Sequence, residues 1–117
     1  MVETQITIDS HFQGKGENVK VIYDRLLSSL RAFGHVHEAP KKGSIHLDHK
    51  SGFAGVYLRK NHILLHFRTE YAIDSSRIQK QQQLSARRFK HTVRLDGTSQ
   101  IDSELLSWLK NAYLLAS

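Results

Sequence analysis

Residues 53–68 read Phe-Ala-Gly-Val-Tyr-Leu-Arg-Lys-Asn-His-Ile-Leu-Leu-His-Phe-Arg, two alternating apolar runs joined by a polar step. Side chains of an extended strand alternate between two faces, so this pattern predicts the central hairpin of a β-sheet. With the turn at Asn61-His62, where Asn tolerates positive φ, Leu58 is expected opposite Leu65, Val56 opposite Phe67 and Tyr57 opposite His66. Ala54, Val56, Leu58, Ile63, Leu65 and Phe67 then share an apolar face, while Tyr57, Arg59, His66 and Arg68 share the other. A slip of one residue would turn the apolar set to solvent, so burial restricts the register.

The chain of 117 residues suits one domain, 1–117, able to bury roughly two-thirds of the surface its unfolded form exposes. It has no cysteine, which removes disulfides, thiolate nucleophiles and cysteine-built zinc sites and agrees with a reducing compartment. Residues 1–10 lack a basic segment followed by a long apolar run, and no apolar stretch is long enough to span a bilayer. A soluble cytoplasmic protein without membrane contact is expected. Seventeen Lys and Arg against eleven Asp and Glu leave a formal charge of +6, which favours anionic partners without naming one.

Residues 1–16 carry a short alternation at Ile6 and Ile8 before glycine-rich links, and are expected as a lead-in edge strand or tail. From Glu17 the apolar positions Val19, Ile22, Tyr23, Leu26, Leu27, Leu30 and Phe33 follow helical spacing, and Gly34 is placed to end that helix. The period then becomes two, with strands expected over 36–39 and 44–48 about a turn at 40–43. Ile45 and Leu47 belong inside, which puts His46 and Asp48 on the outer face.

Past a loop at 69–76, extended segments are expected over 77–83 and 88–95, with a turn at 84–86 between them. Phe89, His91, Val93 and Leu95 face one way and Arg88, Lys90, Thr92 and Arg94 the other, so the polar side of the second segment is almost wholly basic. Asp96-Gly97 marks a turn. Ser99 with Asp102 resembles a capping box for a last helix striped by Ile101, Leu105, Trp108, Leu109, Ala112 and Tyr113. The order predicts an α+β fold: an antiparallel sheet of five to six strands with an N-terminal and a C-terminal helix packed on one face.

Several segments carry a resemblance beyond this pattern. They are His11-Phe12-Gln13-Gly14-Lys15, Lys42-Gly43-Ser44-Ile45-His46-Leu47, Ser51-Gly52-Phe53-Ala54-Gly55-Val56 and Arg59-Lys60. Ile73-Asp74-Ser75-Ser76-Arg77-Ile78-Gln79-Lys80, residues 88–95 and residues 102–113 complete the set. With these segments the chain resembles the bacterial family labelled domain of unknown function 5655 over nearly its whole length. The resemblance implies a small bacterial α+β domain, found alone or appended to other small domains, with no established activity and no catalytic residues to carry over. Ser76 and Leu58 stand where members often have proline, changes that bear on loops.

The candidate site is the outer sheet face. His46, Tyr57, Arg59, His66, Arg68, Arg88 and Arg94, with Lys42 and Lys90, would form a basic surface with an aromatic ring for stacking. Guanidinium forks pair bidentately with phosphate or carboxylate, and open sheets with aromatics serve single-stranded nucleic acids. The competing accounts are a solvated face or a face closed by a second subunit, a homodimer formed through edge strands near 35–39 or 77–83. His91 reads as a buried neutral histidine held by one hydrogen bond. No spacing among His35, His37, His46 and His49 is diagnostic of a metal, and no cofactor is expected. Asp48-x-Lys50 has the acidic-x-Lys form found in metal-dependent nucleases, but only Glu38 offers an upstream acid. No Gly-x-Ser-x-Gly elbow or phosphate loop is present. The chain therefore reads as a noncatalytic binding module for an anionic small molecule or nucleic acid, before a homo-oligomeric structural protein or a nuclease-like enzyme.

Overall fold

The spacing of apolar residues after Gly16 produces helix α1 (Glu17–Arg31), which buries Val19, Ile22, Tyr23, Leu26, Leu27 and Leu30 and leaves the Lys20–Asp24 pair in solvent. The helix stops at Arg31, short of the expected Phe33, and Gly34 follows at φ +148°. Six strands come next: β1 (His37–Pro40), β2 (Ile45–Asp48), β3 (Gly52–Leu58), β4 (Ile63–Thr69), β5 (Ile78–Ser85) and β6 (Arg88–Leu95). Helix α2 (Ser103–Leu115) closes the chain. The structure is a computed structural model and describes residues 7–116.

The strands form one antiparallel sheet in the order β1-β2-β3-β4-β6-β5, and both helices lie on the same face of it. Ile45, Leu47, Val56, Ile63, Leu65, Phe67, Val93 and Leu95 are buried against the helices, so the alternation read from residues 53–68 assigned the inner face correctly. The α+β architecture is as expected. Among the described residues no helix is long and apolar enough to cross a membrane.

The hairpin register differs from the expected one by two residues. Leu58 faces Ile63, Val56 faces Leu65, Tyr57 faces Leu64 and Gly55 faces His66. The Arg59 N–H donates to the His62 carbonyl at 2.9 Å, which places Lys60-Asn61 at the tip of the turn, and no described non-glycine residue has positive φ. The reason lies outside the hairpin. The Gly16 N–H donates to the Lys60 carbonyl at 2.7 Å and the Asn18 side chain donates to the Asn61 carbonyl at 2.7 Å, so the start of α1 holds the turn. A shift of two preserves both faces and changes only the partners.

Smaller differences follow the same logic. Strand β1 runs one residue later than expected, and β5 extends to Ser85 with its turn at Ala86-Arg87. The cap of α2 is Asp102 itself, whose carboxylate accepts the Leu105 N–H at 3.0 Å. Asp102 also pairs with Arg77, which reaches Glu104 and the Gln100 carbonyl and lies over the Trp108 ring, tying the loop before β5 to the helix start. Instead of an edge strand, residues Asp9–Phe12 form a 3-10 turn whose Phe12 packs edge-on against Tyr23 at 5.4 Å; Ile6 of the expected alternation lies outside the described residues.

Candidate basic depression on the outer sheet face

A flat sheet offers no hollow, so the depression on the outer face needs a local cause. Between Leu47 opposite Ala54 and Asp48 opposite Gly52, β3 carries one extra residue, Phe53. A bulge of this kind re-aims a side chain. Phe53 is buried and meets Tyr113 of α2 edge-on at 5.3 Å, on the helix side of the sheet. The outer face therefore loses an aromatic ring at that position, and neighbouring Gly52 and Gly55 have no side chains to fill the space. The result is a cavity of about 480 Å³ lined by His46, Tyr57, His66, Arg68 and Lys90 over the two glycines.

The lining residues come from adjacent strands. His46 of β2 faces Gly55 of β3, which faces His66 of β4, which faces Thr92 of β6. Because Gly55 presents no side chain, the Tyr57 ring reaches diagonally to His66, with centroids 4.6 Å apart in an edge-to-face arrangement. His66 Nδ1 lies 3.2 Å from the Thr92 hydroxyl; with Thr92 donating, the Nε2–H is left free to donate to a ligand. Arg68 stands directly opposite Lys90 in the next row. Burial, then the charges of Lys90, Lys80 and Arg59, hold the His66 pKa below its ordinary value.

The structure brings together only part of the expected set. His46, Tyr57, His66 and Arg68 line the depression. Arg59 lies in the turn after β3 and acts on His66 through its charge rather than as part of the wall. Arg94 sits opposite Leu64, and its Nε donates to Asp96 at 2.9 Å, so a neighbouring carboxylate already balances its charge. Arg88 lines an adjoining hollow of about 400 Å³ with Arg68, Leu84 and Leu115. The floor was not foreseen, although Gly52 and Gly55 inside an alternating run are the sequence signal of a bulge or close approach.

Glu38 and Asp48 stand on opposite faces. Glu38 pairs with inward-facing Leu47 and accepts the Tyr23 hydroxyl at 2.6 Å on the helix side, whereas Asp48 belongs to the outer face. Among the described residues no three His, Asp or Glu side chains converge as a metal-holding group.

A model of the family described as Domain of unknown function (DUF5655) matches residues 8–116. The chain belongs to that family. No curated protein and no solved structure matches it. The match takes in every strand of the DUF5655 sheet and therefore the whole depression.

Beneath the sheet of this DUF5655 chain, His91 is fully buried beside Phe67, with Nε2 2.7 Å from the Thr69 hydroxyl and no partner at Nδ1. Thr69 donates to the Tyr71 carbonyl, so the His91 Nε2–H donates to Thr69, and burial with no partner at Nδ1 favours the neutral imidazole. The expected single hydrogen bond is there, made to a hydroxyl rather than to a backbone carbonyl. Burial pushes the His91 pKa down against a smaller opposing effect of the Tyr71 carbonyl; burial also lowers His62 and His66, with cationic neighbours adding to it. The unfolded chain takes up protons near its ordinary histidine pKa, about 6.5, that the folded chain refuses, so stability is present above that pH and is lost as pH falls below it. Thermal melts are expected to give a lower Tm at pH 5 than at pH 7.5, and His91→Gln is expected to reduce that slope. An unchanged slope would assign the acid sensitivity elsewhere.

Proposed function

We propose that this chain is a noncatalytic binding module that takes an anionic group, phosphate or carboxylate, in the outer-face depression. The observation that carries the reading is a glycine floor flanked by donors whose cations, Arg68 and Lys90, have no carboxylate at ion-pair distance among the described residues, with the Asp48 carboxylate confined to the Gly52 end. Like charges on facing positions repel, and an anion between Arg68 and Lys90 removes that repulsion. His66 reports on occupancy, because Lys90, the first of the cations that help hold its pKa down, is one that an anion in the depression would neutralise.

The test is an NMR titration of the His66 ring against pH, with and without millimolar pyrophosphate. The expected result is a rise in its pKa on addition, smaller in Arg68→Ala. An unchanged His66 titration at low salt, with no retention of the chain on heparin, would assign the depression to a solvated face.

A further inference from the structure

We infer that the depression and the adjoining hollow form one path for single-stranded nucleic acid, running from Tyr57 on the outer face to Arg88 at the end of the sheet beside α2. This inference rests on the anion-binding reading and specifies its ligand. The two hollows adjoin, sharing Ser51, Gly52, Phe53 and Arg68 in their linings, and the second is bounded on its far side by Ala112, Leu115 and Ala116 at the end of α2. Arg68 lies opposite Lys90, and Arg88 lies two residues before Lys90 on the same side of β6, about 7 Å along the strand. That step is comparable to the separation of successive phosphates in an extended single strand.

The state of the charges agrees with a polyanion. Arg68, Arg88 and Lys90 have no carboxylate partner among the described residues, whereas Arg31, Arg87 and Arg94 each have one and Arg77 has two. Lys80, opposite Thr92, continues the unpaired set onto β5. A small ligand is normally enclosed over most of its surface, but His46, Arg68, Leu84 and Arg88 are exposed on an open sheet. A polymer bound through successive charges does not need enclosure. An acidic polypeptide would satisfy the cations alone. The rings of Tyr57 and His66, together with Leu84 at 44 % exposure on the β5–β6 tip, add flat and apolar contacts that suit bases.

Fluorescence anisotropy with fluorescein-labelled oligothymidylates of increasing length, measured on the full chain over a range of salt, tests the path. Affinity is expected to rise from the mononucleotide to an oligomer of about four nucleotides and then level off. Each phosphate contact contributes about −0.7 to the slope of log K against log salt. Arg68→Ala, Arg88→Ala and Lys90→Ala are each expected to flatten the slope by about that amount, while Arg94→Ala leaves it unchanged. Tyr57→Ala is expected to weaken binding about tenfold with the slope unaltered.

Oligomers bound no more tightly than the mononucleotide would overturn the path; if pyrophosphate still moved His66, the anion-binding reading would stand. Displacement by polyglutamate at equal charge, with no dependence on Tyr57, would assign the surface to an acidic polypeptide. Failure of oligomers, pyrophosphate and heparin alike at low salt would overturn both readings.

Discussion

Leu65→Asp is expected to abolish cooperative folding at 25 °C. Leu65 is fully buried on the inner face of β4, between Val56 of β3 and Val93 of β6. Removing a buried leucine side chain alone costs about 2–5 kcal/mol, and the carboxylate adds several more because nothing near it can pair with or solvate its charge. A domain of this size has roughly 5–15 kcal/mol in total, so the sum removes most or all of it. The measurement is a urea or thermal melt read by circular dichroism, with dispersion of amide NMR signals as a second readout. The neighbouring substitution supplies the control: Leu64 points to the outer face and is partly exposed, and Leu64→Asp is expected to cost far less, about 1 kcal/mol. Equal effects at the two positions would refute the assignment of faces.

The second large effect is expected at Gly34. Its φ of +148° is unfavourable for residues with a Cβ, and an added Cβ would stand 2.6 Å from the Tyr113 hydroxyl oxygen. That hydroxyl donates to the His35 carbonyl at 3.0 Å, and its ring stacks on His49 at 4.1 Å, so the turn after α1 is locked to α2. Gly34→Ala is therefore expected to combine backbone strain with loss of a hydrogen bond, about 2–4 kcal/mol together. For a chain of this length the Tm should fall by roughly 10 °C or more. Tyr113→Phe removes the obstructing oxygen, so the double variant should be more stable than the sum of the single losses predicts. Additivity within about 0.5 kcal/mol would show that the contact is not the cause.

What was legible in the sequence was the side of each element. Alternation in 44–48, 53–68 and 88–95 placed Leu65, Phe67 and Val93 inside and His46, Tyr57, His66 and Arg68 outside, because strand parity depends only on neighbours along the chain. The stripe of α1 was legible for the same reason, as was the burial of His91. The shape and charge balance of the outer face depended on distant residues. Contacts from α1 to Lys60 and Asn61 selected the turn and put Gly55, not Tyr57, opposite His66. Packing of Phe53 against Tyr113 accompanies the bulge that opens the depression. The pairing of β4 with β6 set Lys90 against Arg68. Asp96 neutralised Arg94, which parity alone had counted among the free cations. Periodicity assigns a side chain to a face, but which groups meet on that face, and which charges remain unpaired, follows from strand order, register and bulges that only the folded chain brings together.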